Sequence, residues 1–464
     1  MSDGTHDGGW VSNMKNIVLI GISGSGKTYF GNRLAEKLSK KFLDLDTLIS
    51  KNANLSIKEI FKNEGEEGFR RRESQTIRDI SGLNNKIIAT GGGAVLTREN
   101  MDCLSRNGTI IFLDRPVEDI LGSVEMSDRP LLKDNPEKLK DIYSERLPLY
   151  NKYADFVIGG DPCDEVMHKL IHISTLGETE KSLAVIGDPI GHSLSPPIHL
   201  GAIGPLVKKL VYEKVEVKKG MLFQWIKTDG RMKLDGFNVT MPHKEGIIPL
   251  LDIVDCDAER IGAVNTVVNR EGMLKGYSTD GKGFSSALKS YGACFSQSTV
   301  TIIGSGGAAK TIAMKAAKEG ARRIHIVARN TFEALKIRQM IKNNYSVDSD
   351  VYPFSIENIR GEPWESNIVI NTTPLGMKGS GVDFVNYQFL EGIRPGALIC
   401  DIVYSTERTR LTLEAEVLGL KTMEGIDMLI EQALAADDLF LNAEIGKHKA
   451  RKRARKHLEG GPVI

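Results

Sequence analysis

Two glycine-rich turns and a scattered set of lysines, arginines and carboxylates are the residues of this chain whose spacing can carry chemistry. Gly21-Ile22-Ser23-Gly24-Ser25-Gly26-Lys27-Thr28 fits GxxxxGK[ST] in full, between the strand-like NIVLI (Asn16–Ile20) and the helix-like residues 27–41. In that context glycines let backbone N–H groups curl around phosphate oxygens at a helix N-terminus. Lys27 then reaches the β/γ-phosphates, and the Thr28 hydroxyl is placed for Mg²⁺. A turn that binds nothing is the bland alternative, disfavoured because every fixed position and both flanking elements are present. The motif says nucleotide and is silent on the acceptor.

Acceptor chemistry has to come from other residues. Asp44 and Asp46 of Phe42-Leu43-Asp44-Leu45-Asp46 are expected on the second strand, whose end opens toward the phosphate turn. A hydroxyl nucleophile needs a carboxylate to orient it and take its proton. An acidic acceptor needs Arg forks, and Phe69-Arg70-Arg71-Arg72-Glu73, Arg129-Pro130-Leu131-Leu132 and Arg146-Leu147-Pro148-Leu149-Tyr150 offer them. Gly91-Gly92-Gly93-Ala94 adds a second tight loop. Taken singly, each of these also reads as ordinary surface.

The second half carries a different set. Ser193 and Ser195 project from a Pro-rich turn (Gly187–Pro196), followed by Asn238, Thr240 and Lys244, then Asn265, then Asp280. A Lys, an Asp and two Asn from separate motifs suggest a polar pocket for a polyhydroxylated substrate, with Lys244 moving a proton and Asp280 beside it. His192 and His243 fall inside these motifs and are expected to be structural. Gly304-Ser305-Gly306-Gly307-Ala308-Ala309 follows VTII and fits G-x-G-x-x-G/A. The next strand ends in Arg329-Asn330-Thr331, where an acid would normally hold a free ribose 2′-hydroxyl; Arg329 suits a 2′-phosphate, hence NADP.

The elements that must position these groups alternate short β-branched runs with amphipathic helices, as in α/β folds with parallel sheets. Phe30, Leu34 and Leu38 share one helix face, and KIIAT and TIIFLD read as buried strands. The chain has 464 residues, about three globular units at ordinary domain size. With 61 Lys+Arg against 60 Asp+Glu, no global pull toward nucleic acid or membrane is expected. No apolar run reaches membrane-spanning length, and five scattered Cys with no CxxC pair point to a reducing cytoplasm. The leader, 1–13, is polar and expected to be disordered; Met1 and Met14 are both compatible with the start. STLGETEKS (174–182) is expected to be a solvated linker. The tail 447–464 begins with KHKARKRARKH, seven Lys/Arg and no acid, read as a solvated helix end rather than a nucleic-acid site.

Together the first set resembles shikimate kinase over about 14–173. The resemblance implies an ATP site of Gly21, Gly24, Ser25, Gly26, Lys27, Thr28 and the lid residue Arg129. It implies Mg²⁺ at Thr28 and Asp44, and shikimate held by Asp46, Arg70, Gly91, Gly92, Gly93 and Arg146, with Asp46, Lys27 and Arg129 catalytic. Arg72 stands where the family often has an apolar residue. The second set, with Asn371–Met377, Asp401–Tyr404 and Met428–Gln432, resembles shikimate dehydrogenase over about 183–446. It implies substrate binding by Ser193, Ser195, Asn238, Thr240, Lys244, Asn265, Asp280 and Gln432, a catalytic Lys244–Asp280 pair, and NADP(H) on residues 304–309, Arg329, Asn330, Thr331, Thr373 and Met377. Leu200, Ser278 and Thr406 depart from common family residues.

The expected architecture is therefore a P-loop kinase domain (14–173) followed by a two-domain dehydrogenase. Its substrate domain would comprise 183–279 with 425–446, and its Rossmann NADP domain 280–424. The expected activity is bifunctional, NADPH-dependent reduction of 3-dehydroshikimate and ATP-dependent phosphorylation of shikimate. A quinate-oxidising half using NAD, or a non-catalytic regulatory relative, are the alternatives; the second should have lost catalytic groups that all stand here. Only small-molecule partners are expected, and the oligomeric state is left open.

Overall fold

The computed structural model describes residues 15–123, 137–354, 361–377, 382–404 and 408–460. The expected leader, Arg129 and Thr406 lie outside them.

Three sheets follow one another. The first is all parallel, from β1 (Asn16–Ile20), β2 (Lys41–Asp44), β3 (Lys86–Ala89), β4 (Gly108–Asp114) and β5 (Phe156–Gly159), in the order β2-β3-β1-β4-β5. Helices cover both faces, which is why its central strand is continuously apolar: Val18, Leu19 and Ile20 are fully buried. The helix Lys27–Lys37 starts directly after the glycine turn and buries Phe30 and Leu34. Asp46 is not on the second strand as expected. β2 ends at Asp44, whose carboxylate accepts from Thr47 N at 3.1 Å and so caps the helix Leu45–Ala53. Asp46 falls in that helix's first turn.

The second sheet is mixed, from β6 (Glu180–Gly187), β7 (Lys209–Glu216), β8 (Gly236–Val239), β9 (Ile253–Val254), β10 (Thr266–Arg270) and β11 (Met273–Tyr277). Its order is β7-β6-β8-β10-β11-β9, with β10 antiparallel to both neighbours. The third is parallel, from β12 (Thr299–Ile303), β13 (Arg323–Ala328), β14 (Asp348–Pro353), β15 (Ile368–Asn371), β16 (Leu398–Asp401) and β17 (Lys421–Met423). The order β14-β13-β12-β15-β16-β17 is that of a doubly wound dinucleotide fold, with its topological switch between β12 and β15. The helices Asp280–Ser290 and Gly425–Leu441 cross between the second and third sheets. Their close approach needs Gly283, where a Cβ would lie 2.4 Å from Gln432 N.

Two expectations about the junction fail. Residues 174–182 are not a solvated linker: the helix Cys163–Leu176 buries Ile173, Ser174 and Leu176, and β6 already begins at Glu180. Nor is the basic tail merely solvated. Its helix, Lys447–Leu458, buries Ala450 and Ala454 completely and packs on the helices Glu137–Tyr153 and Ser195–Ile203. The segment before it runs along the free edge of β5, where Val157 N donates to Glu444 O at 2.9 Å and Gly446 N to Asp155 O at 2.8 Å. An edge strand is thereby covered. One apolar cluster consequently spans both halves, from Leu19, Phe156 and Leu170 to Leu183, Phe440 and Ile445.

Candidate functional sites

The phosphate turn lies at the C-terminal end of β1. Gly21, Gly24 and Gly26 take φ of 145°, 95° and 93°, the left-handed region that glycine alone occupies without strain. Lys27 is folded back on the turn, donating to the carbonyls of Gly21 and Ile22 at 2.8 Å each. Thr28 Oγ1 donates to Asp44 Oδ2 at 2.7 Å, so the two oxygens expected at Mg²⁺ already stand together. Oxygen donors few in number, leaving room for phosphate and water, fit Mg²⁺.

The arginines converge on the triple-glycine loop. Arg146 Nη1 donates to Gly92 O at 3.1 Å, and Tyr150 OH to the same oxygen at 2.6 Å. Arg70 lies across Gly93, where a Cβ would sit 2.1 Å from Nη2. Gly92 is pressed against the phosphate turn, its Cβ position 3.1 Å from Ser23 N. Glu73, fully buried, accepts from Arg70 Nη1 at 2.8 Å and holds the fork in place. Sequence reasoning quoted Glu73 but gave it no role. Burial pushes the Glu73 carboxyl up against the pull of Arg70. Burial, then Asp44, raises the Asp46 carboxyl, and Lys27 and Arg70 pull it back only in part. Arg70 Nε, Arg146 Nε and Glu73 Oε1 are buried without partners among the described residues. Buried polar atoms are normally satisfied, so these mark a pocket built for a polar guest. The unexpected Arg72 points elsewhere. It grips Glu64 through three hydrogen bonds of 2.7–3.1 Å across the kink at Gly65.

In the second half, Lys244 Nζ stands 2.6 Å from Asp280 Oδ2. The other carboxylate oxygen accepts from Asn265 Nδ2 at 2.8 Å. That amide also reaches Thr279 Oγ1 at 2.9 Å and Gln432 Oε1 at 3.2 Å. Asp280 begins a helix just after β11, and Asn265 immediately precedes β10, which is how one short antiparallel pair delivers both. Asn238, near the end of β8, donates to Asn265 O at 3.2 Å and accepts from Tyr212 OH at 2.5 Å. Thr240 follows it, and the Ser195 backbone donates to Ser193 Oγ at 3.3 Å. Six of the expected residues therefore lie in or beside one network: Lys244, Asp280, Asn265, Asn238, Gln432 and, one residue past β8, Thr240. His243 is buried, its Nε2 2.6 Å from Val217 O, and His192 is exposed. Ser278, the departure preceding Thr279, is buried.

Sequence reasoning missed Tyr212, Thr279 and the buried pair His199–Asp437, 2.5 Å apart, with the His199 ring stacked on Tyr212. His199 and Asp437 are 238 positions apart on different helices, so no local pattern signals the pair.

The dinucleotide cleft opens at the switch point and encloses about 660 Å³. Gly304, Ser305, Gly306, Arg329, Asn330, Thr331 and Thr373 line it. A Cβ on Gly304 would meet Thr372 Oγ1 at 2.5 Å, whereas Gly306 faces open space. Arg329 is exposed at the rim. Asn330 caps the helix Thr331–Asn344, accepting from Glu333 N at 3.2 Å. Gly307, Ala308, Ala309 and Met377 stand apart from the lining; Ala309 is packed in the core.

Comparison with known proteins finds two families along the chain. The family model for shikimate kinase matches residues 23–174, and that for the shikimate dehydrogenase substrate binding domain matches 185–267. A shikimate dehydrogenase (NADP(+)) of Alkaliphilus metalliredigens is 36% identical over 264 residues, 57% of this chain and 92% of that protein. Among solved structures, shikimate 5-dehydrogenase of Listeria monocytogenes in complex with shikimate and NAD is 34% identical, with TM-score 0.55 over 60% of this chain and 96% of that one. The Thermus thermophilus enzyme in complex with NADP(H) and shikimate is 29% identical, with TM-score 0.52 over 60% and 99%. The chain belongs to the shikimate dehydrogenase family, joined behind a segment of the shikimate kinase family.

Proposed function

We propose that the chain catalyses two consecutive reactions, NADPH-dependent reduction of 3-dehydroshikimate to shikimate in its C-terminal part and ATP-dependent phosphorylation of shikimate in its N-terminal part. The observation that carries the reading is the 2.6 Å Lys244–Asp280 pair, fastened by Asn265 within reach of the dinucleotide fold. When bound, NADPH supplies the hydride, and ATP with Mg²⁺ supplies the activated phosphoryl group. Lys244 gives a proton to the carbonyl oxygen as it becomes a hydroxyl; Asp280 aligns the ammonium. Asn238, Asn265, Gln432 and the serine pair hold the ring hydroxyls and carboxylate. Arg329 pairs with the 2′-phosphate of NADP.

In the kinase part, Asp46 orients the acceptor hydroxyl and takes its proton. A carboxyl raised by burial is a better acceptor than an ordinary one. Arg70 and Arg146 hold the acceptor carboxylate, and Lys27 and Arg129 stabilise charge on the transferring group. Incubating the protein with 3-dehydroshikimate, NADPH and Mg-ATP should yield shikimate 3-phosphate. In Lys244→Ala, turnover of NADPH should fall about 10²–10⁴-fold, the range for a positioned acid–base group, while shikimate phosphorylation persists. Unchanged NADPH turnover in that variant rejects the assignment of Lys244.

A further inference from the structure

Beside the N-terminal ends of β1 and β4, the basic helix Lys447–Leu458 borders a cleft of about 520 Å³. Its walls come from the starts of β1 and β4, from Pro205 and Leu206 of the second half, and from the helix itself. Lys15, Gly108 and Thr109 mark the N-terminal ends of those strands, whereas the phosphate turn follows the C-terminal end of β1. The cleft is therefore on the far side of the sheet from the ATP site, and it shares no lining residue with the dinucleotide cleft.

The charge in it is one-sided. Lys15, Arg98, Lys152, Lys449, Lys452 and Arg453 face two carboxylates, Asp102 and Asp155. Asp155 is committed to Lys449 at 2.8 Å and Arg453 at 3.0 Å, and Asp102 stands 3.4 Å from Arg98. Among the described residues no carboxylate pairs with Lys15, Lys152 or Lys452. Crowding of like charge shows in the neighbours. Burial, then Arg451, Lys152 and Lys452, holds the His448 imidazole below its ordinary range. Burial lowers the Lys449 ammonium too, with Arg453 and Lys15 adding to it against Asp155. Cations gathered from four separate segments line one hollow, so an anion entering it meets several of them at once.

We propose that this junction cleft binds a small polyanion, a metabolite carrying two or more phosphate or carboxylate groups, at a site separate from both reaction centres. Arg98 offers a planar fork for one anionic group, and Lys152 and Lys452 offer point charges for another. Because Arg98 and Lys152 belong to the kinase part and Lys452 to the C-terminal helix, the ligand ties the two halves together. Binding to the folded junction alone raises its stability by mass action.

The test uses the full chain pre-equilibrated with saturating ADP, NADP⁺ and shikimate, so that nucleotide and acceptor pockets are both filled, and sodium pyrophosphate as the probe in titration calorimetry at constant ionic strength. One equivalent should bind, and the double variant Arg98→Gln/Lys452→Gln should weaken it at least tenfold while keeping both activities. Pyrophosphate should also slow acetylation of Lys452 in the parent protein, read by mass spectrometry. Absence of saturable heat, heat unchanged in the double variant, or the same protection from chloride at equal ionic strength each overturns the proposal.

Discussion

Asp155 and Lys449 are 294 positions apart and 2.8 Å from each other, and their contact fastens the two enzymatic halves. Asp155 lies just before β5, almost fully buried, and also accepts from Ile110 N at 3.0 Å. Arg453 completes the arrangement, donating to Asp155 at 3.0 Å and to Ala202 O at 2.9 Å, so that one guanidinium touches both halves. Small residues allow the approach. A Cβ on Gly446 would lie 2.0 Å from Ala154 O, and one on Gly201 would meet Ala454 Cα at 3.1 Å.

Removing one partner of such a buried cluster leaves charge uncompensated, typically at about 3–5 kcal/mol. Asp155→Ala should therefore lower the urea midpoint strongly, and more than Asp155→Asn. The paired cations hold the Asp155 carboxyl below its ordinary value despite burial. A depressed folded pKa means stability that is present above the unfolded carboxylate range and lost as pH falls through it. Below about pH 4 the difference between parent and Asp155→Asn should shrink. An unchanged difference removes the Asp155 cluster as a source of junction stability.

Separated halves should behave accordingly. Residues 1–176 end with a helix whose apolar face, Leu170, Ile173 and Leu176, shares a cluster with Leu183, Leu441 and Ile445. Expressed alone, that fragment should be poorly soluble or weakly active as a shikimate kinase, and it should recover on mixing with residues 180–464. Two soluble fragments with parent activities would show that the shared cluster is dispensable.

Much of each reaction centre was legible because its motifs are local. The phosphate turn, the triple glycine and the dinucleotide turn each need glycine within a few residues of a strand end, and composition exposes that directly. The junction was not legible for the opposite reason. STLGETEKS reads as polar, yet Val166, Leu170, Ile173 and Leu176 continue a helical stripe into it. In the tail, the residues that touch the core are alanines 450 and 454, one turn apart, with little apolar signal beside seven cations. Lys449 and Arg453 answer a carboxylate almost 300 positions earlier, which no window detects, while Lys447, Arg451 and Arg455 pair with Asp438, Glu431 and Asp427 on the preceding helix. Glu73 and the His199–Asp437 pair escaped likewise, since burial gives them meaning and residue type alone does not.

Gly93→Ala should disable acceptor binding without touching the nucleotide. The added methyl would sit 2.1 Å from Arg70 Nη2, forcing the fork off the acceptor's carboxylate. Loss of a charge-assisted hydrogen bond, about 1.5–3 kcal/mol, corresponds to roughly 10–150-fold in KM for shikimate. ATP affinity and NADPH oxidation should stay near parent values. Lys27→Ala should instead abolish phosphorylation at any shikimate concentration. A Gly93→Ala enzyme with parent KM would place the acceptor elsewhere.

Cofactor choice should depend on Arg329, at the rim of the cleft. The parent should prefer NADP over NAD, and Arg329→Ala should shrink that preference by roughly 10–150-fold, the value of one charge-assisted contact. Competition of the two oxidised cofactors in shikimate oxidation gives the ratio directly. Equal use of both by the parent would contradict the assignment.

Asp401 supplies a pH signature of opposite sign to Asp155. It ends β16, fully buried, accepting from Asn371 Nδ2 at 2.9 Å, Thr409 Oγ1 at 2.7 Å and Val403 N at 3.1 Å. Burial outweighs these bonds and raises the carboxyl from 3.8 to about 6. A folded pKa above the unfolded one means the fold holds the proton more tightly. Its stabilisation is complete below the unfolded value and lost as pH rises through about 6. Asn at this position keeps an oxygen for Asn371 and Val403 and an amide for Thr409, but has no proton to lose. Urea unfolding of Asp401→Asn and parent should therefore diverge between pH 4 and pH 7 in favour of the variant, by up to about 3 kcal/mol. Curves that run parallel across that interval would mean Asp401 titrates in the fold as it does in the open chain.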